Sequence, residues 1–269
     1  MESIGIVLSG GGVRGMAHVG LLEILEKHGV KIDCLAGSSA GALVGALYSK
    51  GLRGLEIIEA LESVSLFSIS NYTWTKPGLI DTLKLRSFVQ KYLPENDFKD
   101  LTIPTYIVTT NLKTGEEAVH HSGELYRPLL ASISLPPYFS PIRIDESWHA
   151  DGGIVNNFPS NVIRDRCDFL IGSHVCPLNT VDDSYLNSSF NVWWRAYELN
   201  FYANTKKVLK QVDFLFEPAE LCSLGTMDTK SMRKAYHIGK AVAEEQWPML
   251  LEKWKGLRQT KESSRQVRA

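Results

Sequence analysis

The sequence predicts a layered α/β fold built on a mostly parallel sheet. Three observations carry that expectation. Residues 4–8 form a short apolar run of the kind that makes a buried parallel strand, and a glycine cluster and a helical pattern follow it. A second strand signal at residues 32–36 runs straight into Gly37-Ser38-Ser39-Ala40-Gly41 and another helix. Strand and helix signals then keep alternating, as in βαβ units wound around one core.

The elements follow in order. After the first strand comes Ser9-Gly10-Gly11-Gly12-Val13-Arg14-Gly15, then a helix over about residues 16–28. Val19, Leu22, Ile24 and Leu25 give that helix an apolar side, and Gly29 supplies its C-cap. The helix after the second strand is rich in Ala, Gly and Leu and ends near Gly51. Residues 53–62 predict another helix. Residues 63–80 hold Phe67, Tyr72 and Trp74 without clear periodicity and are expected to be irregular, with these aromatics forming a lid or an acyl-chain wall. Residues 83–92 predict a helix and 105–110 a strand, whose hairpin partner ends at 120–122 across Lys113-Thr114-Gly115. A short helix at 126–133 is stopped by Pro136-Pro137. Extended pieces follow at 142–144 and 148–151, and a strand at 169–175. From about residue 180 the pattern is helical, with a break near 217–227. No repeat or linker divides the chain, so residues 1–269 are expected to form one domain. Its motif-bearing part covers about 4–178 and its helical part about 180–257. The last stretch, 258–269, with Arg258, Lys261, Arg265 and Arg268, is expected to be a frayed tail.

A formal net charge of −1 gives no global field toward nucleic acid or an anionic membrane. Cys34, Cys167, Cys176 and Cys222 form no C-x-x-C pair, so metal-ligand and redox-motif spacing is absent, and three of them sit in apolar runs that suit buried thiols. No metal or cofactor is expected. The opening MESIGIVLSGGG lacks a basic segment and reaches glycine too early for a signal peptide, and no apolar run approaches the ~18 residues of a membrane span. These features predict a reduced, cytoplasmic protein.

The chemistry is concentrated in glycine-flanked motifs. G-x-S-x-G between a strand and a helix is the nucleophile-elbow pattern. The serine must sit on a turn with no room for neighbouring Cβ atoms, and Gly37 and Gly41 supply that room. The turn places Ser39 at a helix N-terminus, whose field favours negative charge. Ser38 occupies the x position and is expected to be inert. The loop from Gly10 to Gly15 also fits G-x-G-x-x-G, a dinucleotide fingerprint that wants an acidic residue at the end of the second strand. Here that strand ends in Ala36-Gly37-Ser38-Ser39, and Asp33 lies at its beginning. The loop has a better use as an oxyanion hole, because adjacent parallel strands end at the same sheet edge.

An acyl-transfer serine needs a base. His149, His174 and His237 have no distinctive neighbourhoods, His18 and His28 suit structural roles, and His120 and His121 should point to opposite strand faces. Asp151-Gly152-Gly153 is more telling, since a carboxylate before two glycines can approach a nucleophile closely. GGGVRG at 10–15, GSSAG at 37–41 and DGG at 151–153, supported by AHVGLLEIL at 17–25, ASISLPPYFSP at 131–141 and NNFPS after DGG, resemble the patatin-like phospholipase family, most of all its compact bacterial single-domain members. The resemblance runs over about residues 4–178. It implies a three-layer fold and a Ser-Asp dyad without histidine, with Ser39 as nucleophile and Asp151 as general base. It also implies an oxyanion hole from Gly10, Gly11, Gly12, Val13, Arg14 and Gly15, and a lipid or other acyl ester as substrate. Many members carry DGA where this chain has DGG. Trp193, Trp194, Tyr197 and Phe201 sit at near-helical spacing; they either touch a membrane surface transiently or pack inward, and such stripes usually pack inward. Two other functions share these motifs: an acyltransferase using the same acyl-enzyme, and a non-catalytic scaffold that retains the fold.

Overall fold

The computed structural model describes residues 2–63 and 77–266, with side chains described through Leu257. Phe67, Tyr72 and Trp74 lie outside the described residues. The first strand, β1 (Ile4–Leu8), is buried along its whole length. It lies between β2 (Cys34–Ser38) and β7 (Phe169–Ser173), parallel to both. The sheet is completed by β3 (Thr105–Asn111), β4 (Glu117–His120), β5 (Ile142–Ile144), β6 (Ser147–Asp151) and β8 (Phe214–Phe216). Hydrogen-bonded neighbours run β5-β6-β3-β2-β1-β7-β8, with β4 also on β3. The β1, β2, β3, β7 and β8 pairings are parallel, and the β3–β4, β3–β6 and β5–β6 pairings are antiparallel.

Helices cover both faces. They are α1 (Met16–Lys27), α2 (Ala40–Lys50), α3 (Gly54–Glu62), α4 (Arg86–Tyr92), α5 (Tyr126–Ser132), α6 (Gly153–Asn156), α7 (Ser160–Ile163), α8 (Ser189–Val208) and α9 (Met232–Gln266). The span expected as one helix at 83–92 divides into a 3-10 turn, Thr82–Leu85, and α4. α1 is buried nearly all round because it lies between the sheet and α9. Gly20 and Gly239 permit that approach: a Cβ on Gly20 would fall 2.6 Å from the Tyr236 carbonyl oxygen, and one on Gly239 would fall 2.5 Å from Ala17 Cα. Lys240 and Glu23 then pair at 2.6 Å along the seam. The C-terminal helix is therefore packed into the same core as the glycine motifs.

One expectation needs correction. The region after residue 180 is not wholly helical: β8 adds a parallel strand beside β7, but a three-residue run bracketed by Asp213 and Glu217 is too short to show a period of two. Of the aromatic stripe of α8, Trp194, Tyr197 and Phe201 are half-buried and Trp193 is 41% exposed, with Phe190 outside the stripe 56% exposed.

Candidate active site

β2 and β6 meet end to end. β4 pairs with Ile107, Val108, Thr109 and Thr110 of β3, so β3 has only one edge left for its other partners. β2 takes the first part of that edge, ending with Ser38 opposite Val108, and β6 takes the rest, with Asp151 opposite Thr109. The strands run in opposite directions and converge, so the residues at their tips are brought together. Ser39 Oγ donates to Asp151 Oδ2 at 2.6 Å.

The turn at Ser39 is strained in the way an elbow requires. Ser39 has φ 51° and ψ −125°, outside the regions a side-chain-bearing residue ordinarily occupies. A Cβ on Gly37 would lie 2.7 Å from the Ala42 nitrogen, and one on Gly41 would lie 2.6 Å from the Ser9 carbonyl oxygen, so neither position accepts a side chain. The Ser39 N–H donates to Ser132 Oγ at 2.9 Å, and Ser132 Oγ donates onward to the Val108 carbonyl at 2.7 Å. That clamp from α5 was not identified from the sequence, although Ser132 lies in the ASISLPPYFSP stretch. Ser38 is fully buried with its hydroxyl unpartnered, and it does not line the cavity over Ser39.

Asp151 is 2% exposed. Its Oδ1 accepts from the Gly153 N–H at 2.8 Å, its carbonyl accepts from Thr110 Oγ1 at 2.8 Å and its N–H donates to the Ser134 carbonyl at 3.1 Å. Burial pushes its carboxyl up to about 7, and the hydrogen bonds from Ser39 and Gly153 pull less strongly the other way. Gly152 is needed because a Cβ there would lie 2.7 Å from the Val108 carbonyl carbon and from Ser38 Oγ. The result is a carboxylate tuned toward neutral pH and bonded to a hydroxyl, which can take a proton from it.

The glycine loop lies beside this pair. A Cβ on Gly10 would lie 3.0 Å from Ser39 Cβ. The loop does not offer all its donors: the Gly10 N–H is taken by the Asn157 carbonyl at 3.1 Å, Val13 by Thr226 at 2.8 Å and Arg14 by Gly11 at 3.2 Å. Among the described residues the N–H groups of Gly11 and Gly12 make no hydrogen bond, which leaves two free donors in the loop. Arg14 is buried and forms no salt bridge among the described residues; its Nε donates to the Leu224 carbonyl at 2.8 Å. Gly15 is a packing residue, because a Cβ there would meet Ala40 Cβ at 2.7 Å.

Among the described residues, no histidine is recorded as bonding to Ser39 or Asp151. His18 is fully buried, and burial lowers its imidazole to about 4, so it is neutral at pH 7. Its Nε2 lies 2.9 Å from the Ser9 carbonyl, which can only accept, so Nε2 carries the proton and Nδ1 accepts from the Ser173 hydroxyl at 2.7 Å. His174 pairs with Glu217 at 2.6 Å. His149 and His120 both reach Thr109 Oγ1, at 2.9 and 2.8 Å, and His237 sits against Tyr236 on α9.

A cavity of about 210 Å³ opens over Ser39 and Asp151, with Leu43, Leu85, Phe88 and Phe139 on its apolar side. α8 roofs it. Phe201 lies over Gly153, its ring atom 2.6 Å from where a Cβ there would sit, and its ring meets Tyr197 edge-on at 4.4 Å. The Tyr197 hydroxyl is buried without a partner. From Tyr197 the rings continue outward through Trp193, stacked at 5.7 Å, to Phe190 at 5.9 Å. No helix among the described residues is long and apolar enough to cross a membrane.

Known proteins can be set beside this geometry. The family profile for patatin-like phospholipase matches residues 6–162. Patatin-like phospholipase domain-containing protein 6 of Mus musculus is 30% identical over 218 residues, covering 77% of this chain and 16% of its own length. Lysophospholipase NTE1 of Debaryomyces hansenii is 27% identical over 289 residues, covering 94% of this chain and 18% of its own. The chain thus spans less than a fifth of these curated relatives. Among solved structures, VipD from Legionella pneumophila aligns with a TM-score of 0.48 at 16% identity, covering 91% of this chain and 66% of that one. The type III effector protein ExoU aligns with a TM-score of 0.44 at 13% identity, covering 91% and 53%. With more than half its length matched by the family profile and all three glycine motifs built into one site, the chain belongs to the patatin-like phospholipase family.

Proposed function

We propose that the protein is a serine acyl hydrolase that cleaves carboxylic esters of lipids, phospholipids or lysophospholipids, through a Ser39-Asp151 dyad. The observation that carries this reading is the 2.6 Å bond from Ser39 Oγ to a buried carboxylate raised to about 7. At neutral pH a useful fraction of Asp151 is ionised and is still basic enough to accept the serine proton. Ser39 Oγ attacks the ester carbonyl, and the N–H groups of Gly11 and Gly12 receive the oxyanion. The tetrahedral intermediate collapses, Asp151 returns the proton to the departing alcohol, and an acyl-enzyme on Ser39 remains. Water then enters, Asp151 takes its proton, and the fatty acid leaves as Ser39 is regenerated.

The apolar side of the cavity suits an acyl chain, and the exposed rings at the start of α8 suit transient contact with a lipid surface. The relatives named as phospholipases support the substrate class. A fluorophosphonate probe with peptide mass spectrometry tests the reading. The adduct should map to Ser39 and should not form on protein denatured before labelling; folded protein that does not label is a scaffold. Lipid product analysis with an added alcohol acceptor separates hydrolysis from acyl transfer.

A further inference from the structure

Far from the cavity, two of the four cysteines meet over a glycine. Cys34 opens β2 and is the register partner of Gly5 on β1, and Cys167 leaves the turn just before β7. A Cβ on Gly5 would lie 2.6 Å from Cys167 Sγ and 3.2 Å from Cys34 Sγ, so the missing side chain leaves the space in which both sulfurs sit. The two sulfurs are thus neighbours around one point, and the Cys167 S–H donates to the Ile163 carbonyl at 3.5 Å. Cys34 is buried and Cys167 is half-buried, so a small reagent reaches only the second directly.

Their surroundings are unequal. The Cys34 S–H holds the Cys167 thiol below its ordinary range, with help from Arg164 and the Gly5 N–H, against burial and the charge of Asp213. Arg164 is itself paired with Asp213 at 2.8 Å. Cys34 is pushed up by Cys167 beside it, by burial and by Asp33, while Arg166 opposes them. The half-buried Cys167 is the more accessible sulfur and the easier of the two to ionise, and the buried Cys34 lies beside it. That is the arrangement of an attacking and a resolving thiol.

We propose that Cys34 and Cys167 form a peroxide-responsive site that closes to a disulfide across β1. The Cys167 thiolate attacks one oxygen of a hydroperoxide; the S–O bond forms, the O–O bond breaks, and the departing oxygen leaves as water or alcohol after taking a proton. Cys167 is then a sulfenic acid. Cys34 loses its proton and its sulfur attacks that of Cys167; the S–S bond forms, the S–O bond breaks and water leaves. The two thiols give up two electrons and the peroxide takes them. The link ties β2 to the start of β7 at the sheet end opposite Ser39, and neither sulfur lines the cavity, so closure stiffens the core without occupying the active site.

The test is hydrogen peroxide added to the intact protein, followed by alkylation, digestion and mass spectrometry. The expected product is a Cys34–Cys167 linked peptide two hydrogens lighter than its parts, with Cys176 and Cys222 still alkylated. Cys34→Ser should stop Cys167 at a sulfenic acid that dimedone traps, and Cys167→Ser should give no dimedone adduct on Cys34. Oxidised wild type should melt several degrees higher, and neither variant should show the rise. Wild type in which both cysteines remain alkylatable after peroxide overturns the proposal, as does a bond formed only between chains. The wild-type result stands even where a variant folds poorly.

Discussion

Ser38 and Asp151 are the register partners of two consecutive residues on one edge of β3, Val108 and Thr109. The spacing of the proposed dyad is therefore set by the sheet and does not depend on loop conformation. Ser39 is one residue past the tip of β2 and Asp151 is the last residue of β6, so a group on either can move little without breaking a ladder. Such rigidity suits a catalytic pair that must stay in hydrogen-bond reach through two half-reactions.

The raised Asp151 carboxyl gives two pH effects of opposite sign. A general base works when ionised, so kcat/KM for a soluble ester should rise with pH through an apparent pKa near 7. Stability should move the other way. The folded carboxyl titrates near 7 and the unfolded one at its ordinary 3.8, so between these values the folded state binds more protons and loses stability as pH rises. Asp151→Asn removes the buried charge. We expect it to lose ~100-fold or more in turnover and to melt above wild type at pH 8, by an amount corresponding to no more than ~4 kcal/mol. A flat activity profile across pH 5 to 9, or an asparagine variant that is active, would sink the base assignment.

The two adjacent serines should separate cleanly. Ser39→Ala should abolish hydrolysis of p-nitrophenyl esters while circular dichroism is unchanged. Ser38→Ala deletes a buried hydroxyl that has no partner, so it should be near neutral for both fold and rate. His149→Ala, His174→Ala and His237→Ala should each stay active, because each histidine is engaged elsewhere. A histidine variant as inactive as Ser39→Ala would replace the dyad with a triad.

The legibility of this site followed its chemistry. Gly37, Gly41 and Gly152 are forced by backbone contacts that admit no Cβ, so they stood out in the sequence next to Ser39 and Asp151. Alternating strand and helix signals were enough for the central sheet, because β1, β2 and β7 are buried on both faces and read as apolar runs. Ser132 had no such signal: a serine on a short helix looks like any other, and only the fold brings it to the Ser39 N–H. β8 was hidden by its brevity. The α8 stripe left two readings open because helical spacing of aromatics reports that a face is apolar but not what covers it.

Ser132 offers a test of the elbow itself. Its hydroxyl accepts from the strained Ser39 N–H and donates to Val108, so Ser132→Ala leaves a buried donor without its partner, a cost of about 1–3 kcal/mol. The reacting hydroxyl should lose its fixed position while the cavity remains. We expect kcat to fall ~10-fold, the equivalent of ~1.4 kcal/mol, with little change in KM. A purely structural role would lower the melting temperature and leave kcat per folded molecule unchanged.

The glycine loop should answer differently at its two candidate donors. A Cβ on Gly11 would meet side-chain atoms, Val175 Cγ2 at 2.6 Å and Cys176 Sγ at 3.1 Å, which can give way. Gly12 has φ 56° and the Thr226 carbonyl stands where its Cβ would go. Gly12→Ala should therefore unfold the loop or the protein. Gly11→Ala should fold, displace the donor and lose ~100-fold in kcat, the scale of one oxyanion donor. Unchanged kcat in folded Gly11→Ala would remove Gly11 from the oxyanion hole.

The outer part of α8 predicts a dependence on the physical state of the substrate. Val192 and Leu199, seven residues apart on one face of α8, are 49% and 45% exposed, and neither lines the cavity. Fully burying a side chain of this size is worth ~1.5–3 kcal/mol, so half-exposed residues reaching a lipid surface should each contribute about 1 kcal/mol. Lys206, Lys207 and Lys210 near the C-terminal end of the helix are exposed and would favour anionic headgroups. Replacing Val192 and Leu199 together by Ser should weaken binding to vesicles of mixed phosphatidylcholine and phosphatidylglycerol by at least ~10-fold, read by flotation of the Ser39→Ala background so that turnover plays no part. The same double change in active protein should leave hydrolysis of a monomeric short-chain ester within about twofold, since a surface substitution away from the site shifts energies by about 0.5 kcal/mol or less. Equal losses on monomeric and vesicular substrate would mean that these residues hold α8 in place over the cavity, and the lipid-facing role would be withdrawn.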